Sequence, residues 1–261
     1  MDKIQKRIKA NRIFGTICFR DHFCSHPGRH SWDLCEHPLY YWKMKAAMES
    51  KYLEKILLFT EVEEAWQLAK KMSDKFVVKK RTLKECREPE WIVVDDLKTS
   101  RSRKSVYSGD FNRIAGDVSK TIIKLLGFEP TIRVNLSACC PLETADDIDK
   151  LIERYFEDDL AEQAWIVYKT LSCLVMKNPK NPKYLLRLFN IAIRQFGPQL
   201  YLLTGTFIRS YEWTGREKGV YIEIPPERGI DIHNKKNLEL AEFYMRKRLD
   251  KLKSGYTMLK I

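Results

Sequence analysis

Asp231 and His233 stand two residues apart in a short β-like run, Gly229-Ile230-Asp231-Ile232-His233, so their side chains are expected on one face. A carboxylate pair at a strand end, just before a helix, is a usual way to hold Mg²⁺ against a nucleotide triphosphate. Here His233 takes the second place. Imidazole is a poor substitute for a carboxylate toward a hard cation, so the pair is expected to bind Mg²⁺ weakly and to accept Mn²⁺ better. A second concentration of chemistry lies between residues 18 and 37. Four of the five His (His22, His26, His30, His37) and three of the seven Cys (Cys18, Cys24, Cys35) fall there. Such density can hold Zn²⁺, but no Cys-x-x-Cys knuckle is present, and a polar loop with incidental His is the competing reading.

These groups need a scaffold. Residues 12–19 (RIFGTICF), 56–59 (ILLF) and 131–136 are compact apolar runs that read as buried parallel strands. Between and after them lie helical patterns opened by Pro38 and running over 61–72, 118–126 and 145–156, with further strands at 76–78 and 164–168. This alternation predicts right-handed βαβ units and a three-layer α/β domain with a mainly parallel sheet. Thr144 reads as an N-cap with Asp146 and Asp147 in the first turn. Residues 200–208 and 219–224 read as β, a small extension. Leu238, Ala241, Met245 and Leu249 mark one stripe of a closing amphipathic helix.

The chain has 261 residues, 44% hydrophobic and 31% charged, which suits one soluble domain over residues 1–261. No run approaches 18 apolar residues, and the first residues lack an apolar signal core, so neither a membrane span nor a secretory signal is expected. Seven Cys without such a signal read as reduced thiols of a cytoplasmic protein. The net charge of +12 suits an anionic partner. The basic run Lys98 to Lys104 lacks interleaved aromatics and reads as a solvated loop, so nucleic acid is not the expected partner.

Three stretches carry a family resemblance. Residues 229–242 (GIDIHNKKNLELAE) resemble S-I-D-I-D-T-x-x-D-L-x-x-A-E, the closing motif of the CMP-sialic acid synthetase (acylneuraminate cytidylyltransferase) family. The loop after residues 12–19 is similar to the family's A-R-x-G-S-K-G-I-P-x-K-N signature followed by L-x-G-K-P-L. Arg20 takes the place of the signature Arg, and Pro27, Arg29 and His30 those of its Pro, Lys and Asn, with Pro38-Leu39 closing the match. The signature glycines are replaced by Asp21 and His22, and Ser-Lys by Phe23-Cys24; Asp21 is expected to bring negative charge toward the phosphates. Residues 134–149 resemble L-Q-P-T-S-P-L-R-T-A-E-D-I-D, with Ser137 in place of Gln and Cys139-Cys140 in place of Thr-Ser.

The resemblance implies a Rossmann-like fold of the nucleotide-diphospho-sugar transferase type. It implies transfer of CMP from CTP to an acidic, sialic-acid-like sugar with release of pyrophosphate, a divalent metal (Mg or Mn), and a homodimer. On it, Arg20, Arg29 and Asp231 are catalytic; Arg20, Arg29, His30, Arg81 and Ser137 bind the nucleotide; Asp231 and His233 hold the metal. Arg194 and Gln195, from a match to R-R-Q, bind the sugar, with residues 170–225 as the sugar-side and dimerisation region. The alternative is a catalytically degenerate homologue that binds nucleotide or sugar.

Overall fold

The computed structural model describes residues 2–22, 26–82, 122–170, 175–177, 185–187, 200–210 and 218–253. Its strands are β1 (Ile13–Cys18), β2 (Asp33–Leu34), β3 (His37–Pro38), β4 (Lys55–Thr60), β5 (Phe76–Lys80) and β6 (Ile132–Leu136), then β7 (Gln163–Thr170), β8 (Val175–Lys177), β9 (Leu185–Arg187), β10 (Leu200–Ser210) and β11 (Gly219–Glu223). Its helices are α1 (Lys3–Lys9), α2 (Leu39–Glu49), α3 (Glu63–Met72), α4 (Ala145–Glu157) and α5 (Lys235–Lys253), with a further helical turn at 122–126.

Seven strands form one sheet in the order β11-β7-β10-β6-β1-β4-β5. The apolar run of β1 lies between β6 and β4 and is parallel to both, as its residue types predict for a strand covered on two faces. β5 and β11 extend the parallel set. β10 alone runs against its neighbours, antiparallel to β6 on one side and β7 on the other. Alternation along β1 splits the core. Ile13 and Ile17 pack with Met44 of α2, Ala65 and Ala69 of α3, and Ile148, Leu151 and Ile152 of α4. Phe14 joins Leu57, Ile122 and Leu126 on the opposite face. The result is helix, sheet, helix.

A third cluster matters more for the site. Leu238, Ala241 and Met245 of α5 pack on Leu34, Leu39, Trp42 and Leu142, with Leu249 against them, so the helical stripe is buried as its spacing predicts. This clamps α5 to the β2–β3 hairpin and to the turn after β6. α4 opens with a capping box: Thr144 accepts from the Asp147 backbone N–H while the Asp147 carboxylate accepts from that of Thr144.

Several expectations change. Residues 230–234 form no strand; the chain arrives from a 3₁₀ turn, Pro226–Gly229, and enters α5 directly. Helix α1 was not foreseen, because Ile8 is its one buried residue. β10 and β11 join the main sheet, and β8–β9 form a separate two-stranded sheet. The apolar run 91–94, the basic run 98–104 and the proline-punctuated residues 178–183, which the sequence predicts as a solvated turn, lie outside the described residues.

Candidate active site

The loop that leaves β1 is held by two carboxylates. Glu61, just past β4, accepts the backbone N–H groups of Asp21 at 2.6 Å and His22 at 2.9 Å through Oε1. Asp21 points inward rather than toward a ligand, which corrects the expectation that it faces the phosphates. Its Oδ1 accepts from the His30 backbone N–H at 2.8 Å and lies 3.0 Å from His30 Nδ1, and its Oδ2 accepts from Ser31 Oγ at 2.5 Å. The Gly28 N–H closes the loop onto the Asp21 carbonyl, with Gly28 in the left-handed region at φ 78°.

Burial pushes the Asp21 carboxyl up, but the hydrogen bonds from His30 and Ser31 outweigh it and hold the group below its usual value of 3.8. A depressed carboxylate stabilises the fold fully above its unfolded pKa, and that contribution is lost as pH falls through the lower folded value. Asp21→Asn is therefore expected to melt below the parent at pH 5, with the gap narrowing as pH is lowered toward 2. A gap that stays constant in thermal melts across that range would remove the carboxylate from the account.

This loop delivers Arg29 to the segment before α5. Arg29 Nη1 lies 2.7 Å from His233 Nδ1, and His233 Nε2 lies 2.8 Å from Asp231 Oδ2. Guanidinium is only a donor. Nδ1 must therefore offer its lone pair, and Nε2–H then donates to the carboxylate. The order is cation, neutral imidazole, anion, and both ring nitrogens are occupied. The backbone is pinned as well, since the Ile232 N–H donates to the Cys139 carbonyl at 2.9 Å and Lys235 Nζ sits 3.8 Å from the Trp32 ring centroid. His233 itself is exposed, but two buried atoms on either side of it stay unsatisfied: Arg29 Nε and Asp231 Oδ1 have no hydrogen-bond partner.

Asp231 and His233 do converge, as their spacing suggests, but on each other. A resident metal needs several donors, and His233 has no lone pair left to give. Among the described residues no group of three or more His, Cys, Asp or Glu could hold a metal ion. The donor set does not fit a protein-ligated metal centre. The Cys and His of residues 18–37 disperse: His22 Nδ1 lies 3.2 Å from Glu61, His37 stacks on Tyr41 at 3.9 Å, Cys35 contacts the Glu242 carbonyl, and Cys24 lies outside the described residues.

Arg20 and Arg81 stand at the ends of β1 and β5, around Cys18. Arg81 Nη1 is 3.7 Å from Cys18 Sγ, and the guanidinium lies 5.1 Å from the Phe59 ring. Burial raises the Cys18 thiol pKa, against the opposing pull of Arg81 and Arg20. Both arginines thus occupy the carboxyl edge of the sheet, where open α/β folds bind ligands.

Ser137 begins the turn after β6. Its Oγ accepts the Cys139 N–H at 3.3 Å, and its N–H donates to Thr206 Oγ1. Gly205, in the bulge of β10 at φ 79°, permits this approach, because a Cβ there would stand 3.3 Å from Ser137 Cβ. The same turn presents Cys139 to Arg29 and His30, a contact that sequence spacing could not disclose. Arg194 and Gln195 lie outside the described residues.

No family model and no curated protein matches the chain. Solved structures do. A CMP:2-keto-3-deoxy-manno-octonic acid synthetase complexed with CTP superposes with a TM-score of 0.57 at 12% identity, covering 91% of this chain and 99% of that one. A 4-diphosphocytidyl-2C-methyl-D-erythritol synthase from Anaerococcus prevotii gives 0.59 at 10% identity over 94% and 100%. Another 4-diphosphocytidyl-2C-methyl-D-erythritol synthase gives 0.59 at 8% identity over 90% and 99%. The described residues have the Rossmann-like, mainly parallel α/β fold of these synthases.

Proposed function

We propose that the chain is a cytidylyltransferase that transfers CMP from CTP to a hydroxyl of an acidic, sialic-acid-like sugar and releases pyrophosphate. The observation that carries this reading is the pair of unsatisfied atoms flanking His233. Arg29 Nε is a buried cationic donor without an acceptor, and Asp231 Oδ1 a buried anionic acceptor without a donor. A nucleotide triphosphate with its divalent cation supplies both partners at once: a phosphate oxygen for Arg29 and the cation for Asp231. The fold shared with a synthetase complexed with CTP and with a diphosphocytidyl synthase supports the choice of nucleotide.

In the reaction the sugar hydroxyl attacks the α-phosphorus, and the bond to the bridging oxygen of pyrophosphate breaks. A divalent cation brought in by the triphosphate would be held on the protein side by Asp231 and would neutralise charge on the phosphates. Arg29, held by His233 and Cys139, places a fixed positive charge beside the leaving group, and Arg20 and Arg81 add theirs at the same edge of the sheet. His30 positions the loop, and Ser137 has a hydroxyl proton to offer the base or ribose. Arg194 and Gln195, on the resemblance, take the sugar carboxylate. The β-rich residues 170–225 are proposed as the homodimer contact, with the cytoplasm as the setting.

A second reading has its own observation. The Asp21 and His22 N–H groups, which would face a phosphate in a glycine-rich loop, are spent on Glu61, as expected for a homologue that binds nucleotide without turnover. One experiment separates the two. Millimolar CTP with Mn²⁺ should raise the melting temperature by several degrees, since ligand at a hundredfold its Kd adds about 2.7 kcal/mol. Pyrophosphate should then appear when an acidic sugar is added. A shift without pyrophosphate selects the binding homologue, and a shift with purine nucleotides alone removes the cytidine assignment.

A further inference from the structure

Cys139 is the one described thiol that faces a histidine oriented by a carboxylate. Cys139 Sγ lies 3.5 Å from His30 Nε2, and His30 Nδ1 lies 3.0 Å from Asp21 Oδ1. Asp21 is fixed from three sides, by the His30 backbone N–H, the His30 ring and Ser31 Oγ. An ionised carboxylate only accepts, so His30 carries its proton on Nδ1 and turns the Nε2 lone pair to the sulfur. Arg29 Nη2 donates to the same sulfur at 3.5 Å. His30 is 4% exposed, and Asp21 and Arg29 are each 6% exposed, while the thiol itself is only half-buried. The groups that act on the sulfur are thus shielded from water, while the residue that carries it keeps part of its surface exposed.

We infer that Cys139, His30 and Asp21 form a nucleophilic triad, and that Cys139 is a modification site for peroxides. The geometry matches the arrangement of nucleophile, base and orienting group that activates thiols, with Arg29 as a cation beside the developing thiolate. The reaction balances without a further reductant. The thiol proton passes to His30 Nε2, and the thiolate attacks the distal oxygen of the peroxide. A sulfur–oxygen bond forms as the oxygen–oxygen bond breaks. Sulfur is oxidised by two electrons, and the departing oxygen takes the proton back from His30, leaving water or an alcohol and a sulfenic acid at Cys139.

The other described thiols lack this setting. Cys140 donates to the Thr204 carbonyl at 2.7 Å, and burial holds its pKa well above the usual value. Burial also raises those of Cys35 and Cys18. The inference is independent of the nucleotide reading, because it requires no ligand.

The test uses the full chain without nucleotide at pH 7. Hydrogen peroxide is added in the presence of dimedone, and the adducts are mapped and timed by peptide mass spectrometry. Cys139 is expected to label at least tenfold faster than Cys18, Cys35, Cys140 or added glutathione. His30→Gln is expected to slow Cys139 at least tenfold while leaving the rates at the other cysteines unchanged. Should His30→Gln fail to fold, Ser31→Ala loosens the orienting carboxylate more gently and is expected to slow Cys139 severalfold. If Cys139 in the parent protein reacts no faster than glutathione, the inference is overturned whatever the variants do. A fast Cys139 that is indifferent to both His30→Gln and Ser31→Ala removes the triad.

Discussion

Replacing Lys43 with Met is expected to destabilise the protein by about 3–5 kcal/mol in urea unfolding, the cost of breaking a buried ion pair from one side. Lys43, on α2, donates to Glu143, in the turn after β6, and both side chains are 0% exposed. Glu143 Oε2 also accepts from Thr206 Oγ1 at 2.6 Å, which ties β10 to the same point, while its Oε1 has no partner. Without the ammonium, a carboxylate stays in the interior with one hydroxyl for company. Removing both charges is a different matter. A Lys43→Met, Glu143→Leu double variant is expected to recover most of the loss, because well-packed apolar groups can replace a buried pair at little or no cost. A single variant within about 0.5 kcal/mol of the parent, the range of an ordinary surface substitution, would show that the pair does not brace α2 against this turn.

Arg29→Ala is expected to cut kcat/KM for CTP-dependent pyrophosphate release by about 10²–10³, the usual cost of deleting one preorganised donor to a developing charge. The guanidinium holds His233, Cys139 and, in the proposed complex, a phosphate oxygen through separate nitrogens. Arg29→Lys keeps the charge but not the planar fork, so it should restore only part of the rate. Binding should follow suit, with CTP weakened more than CMP if the partner is a distal phosphate. An Arg29→Ala protein retaining a third of parental turnover would mean that the phosphates are held elsewhere, by Arg20 and Arg81.

What the sequence made legible follows from range. The apolar runs of β1 and β4 report burial on both faces, while β6 alternates buried Ile132, Val134 and Leu136 with Arg133 and Asn135, and the parallel pairing of the three follows from the helices between them. Thr144 and Asp147 lie three residues apart, so their capping box is a local matter. Lys43 was not legible, because its partner is a hundred residues away and a lysine beside Trp42 reads as solvated. Asp21 misled for a related reason: its partners His30 and Ser31 come back to it only when the loop folds onto itself. Ile230 and Ile232 alternate with polar residues like a strand, yet the Ile232 N–H is spent on the Cys139 carbonyl and no ladder forms. Asp231 and His233 were correctly placed side by side, but that Arg29 sits beyond His233 depends on a loop two hundred residues earlier.

The position of β10 has a consequence for how the chain is made. β10 is wedged between β6 and β7, although about sixty residues separate β6 from β10 and β7 leaves the ribosome well before it. β1, β4, β5 and β6 can therefore assemble while β6 still presents an open edge, and at about 5–20 residues per second that edge waits several seconds for its partner. β7 is ready sooner but would occupy the place of β10 if it paired with β6 first. The nascent protein must hold one strand in reserve until a later one arrives to separate it from the growing sheet.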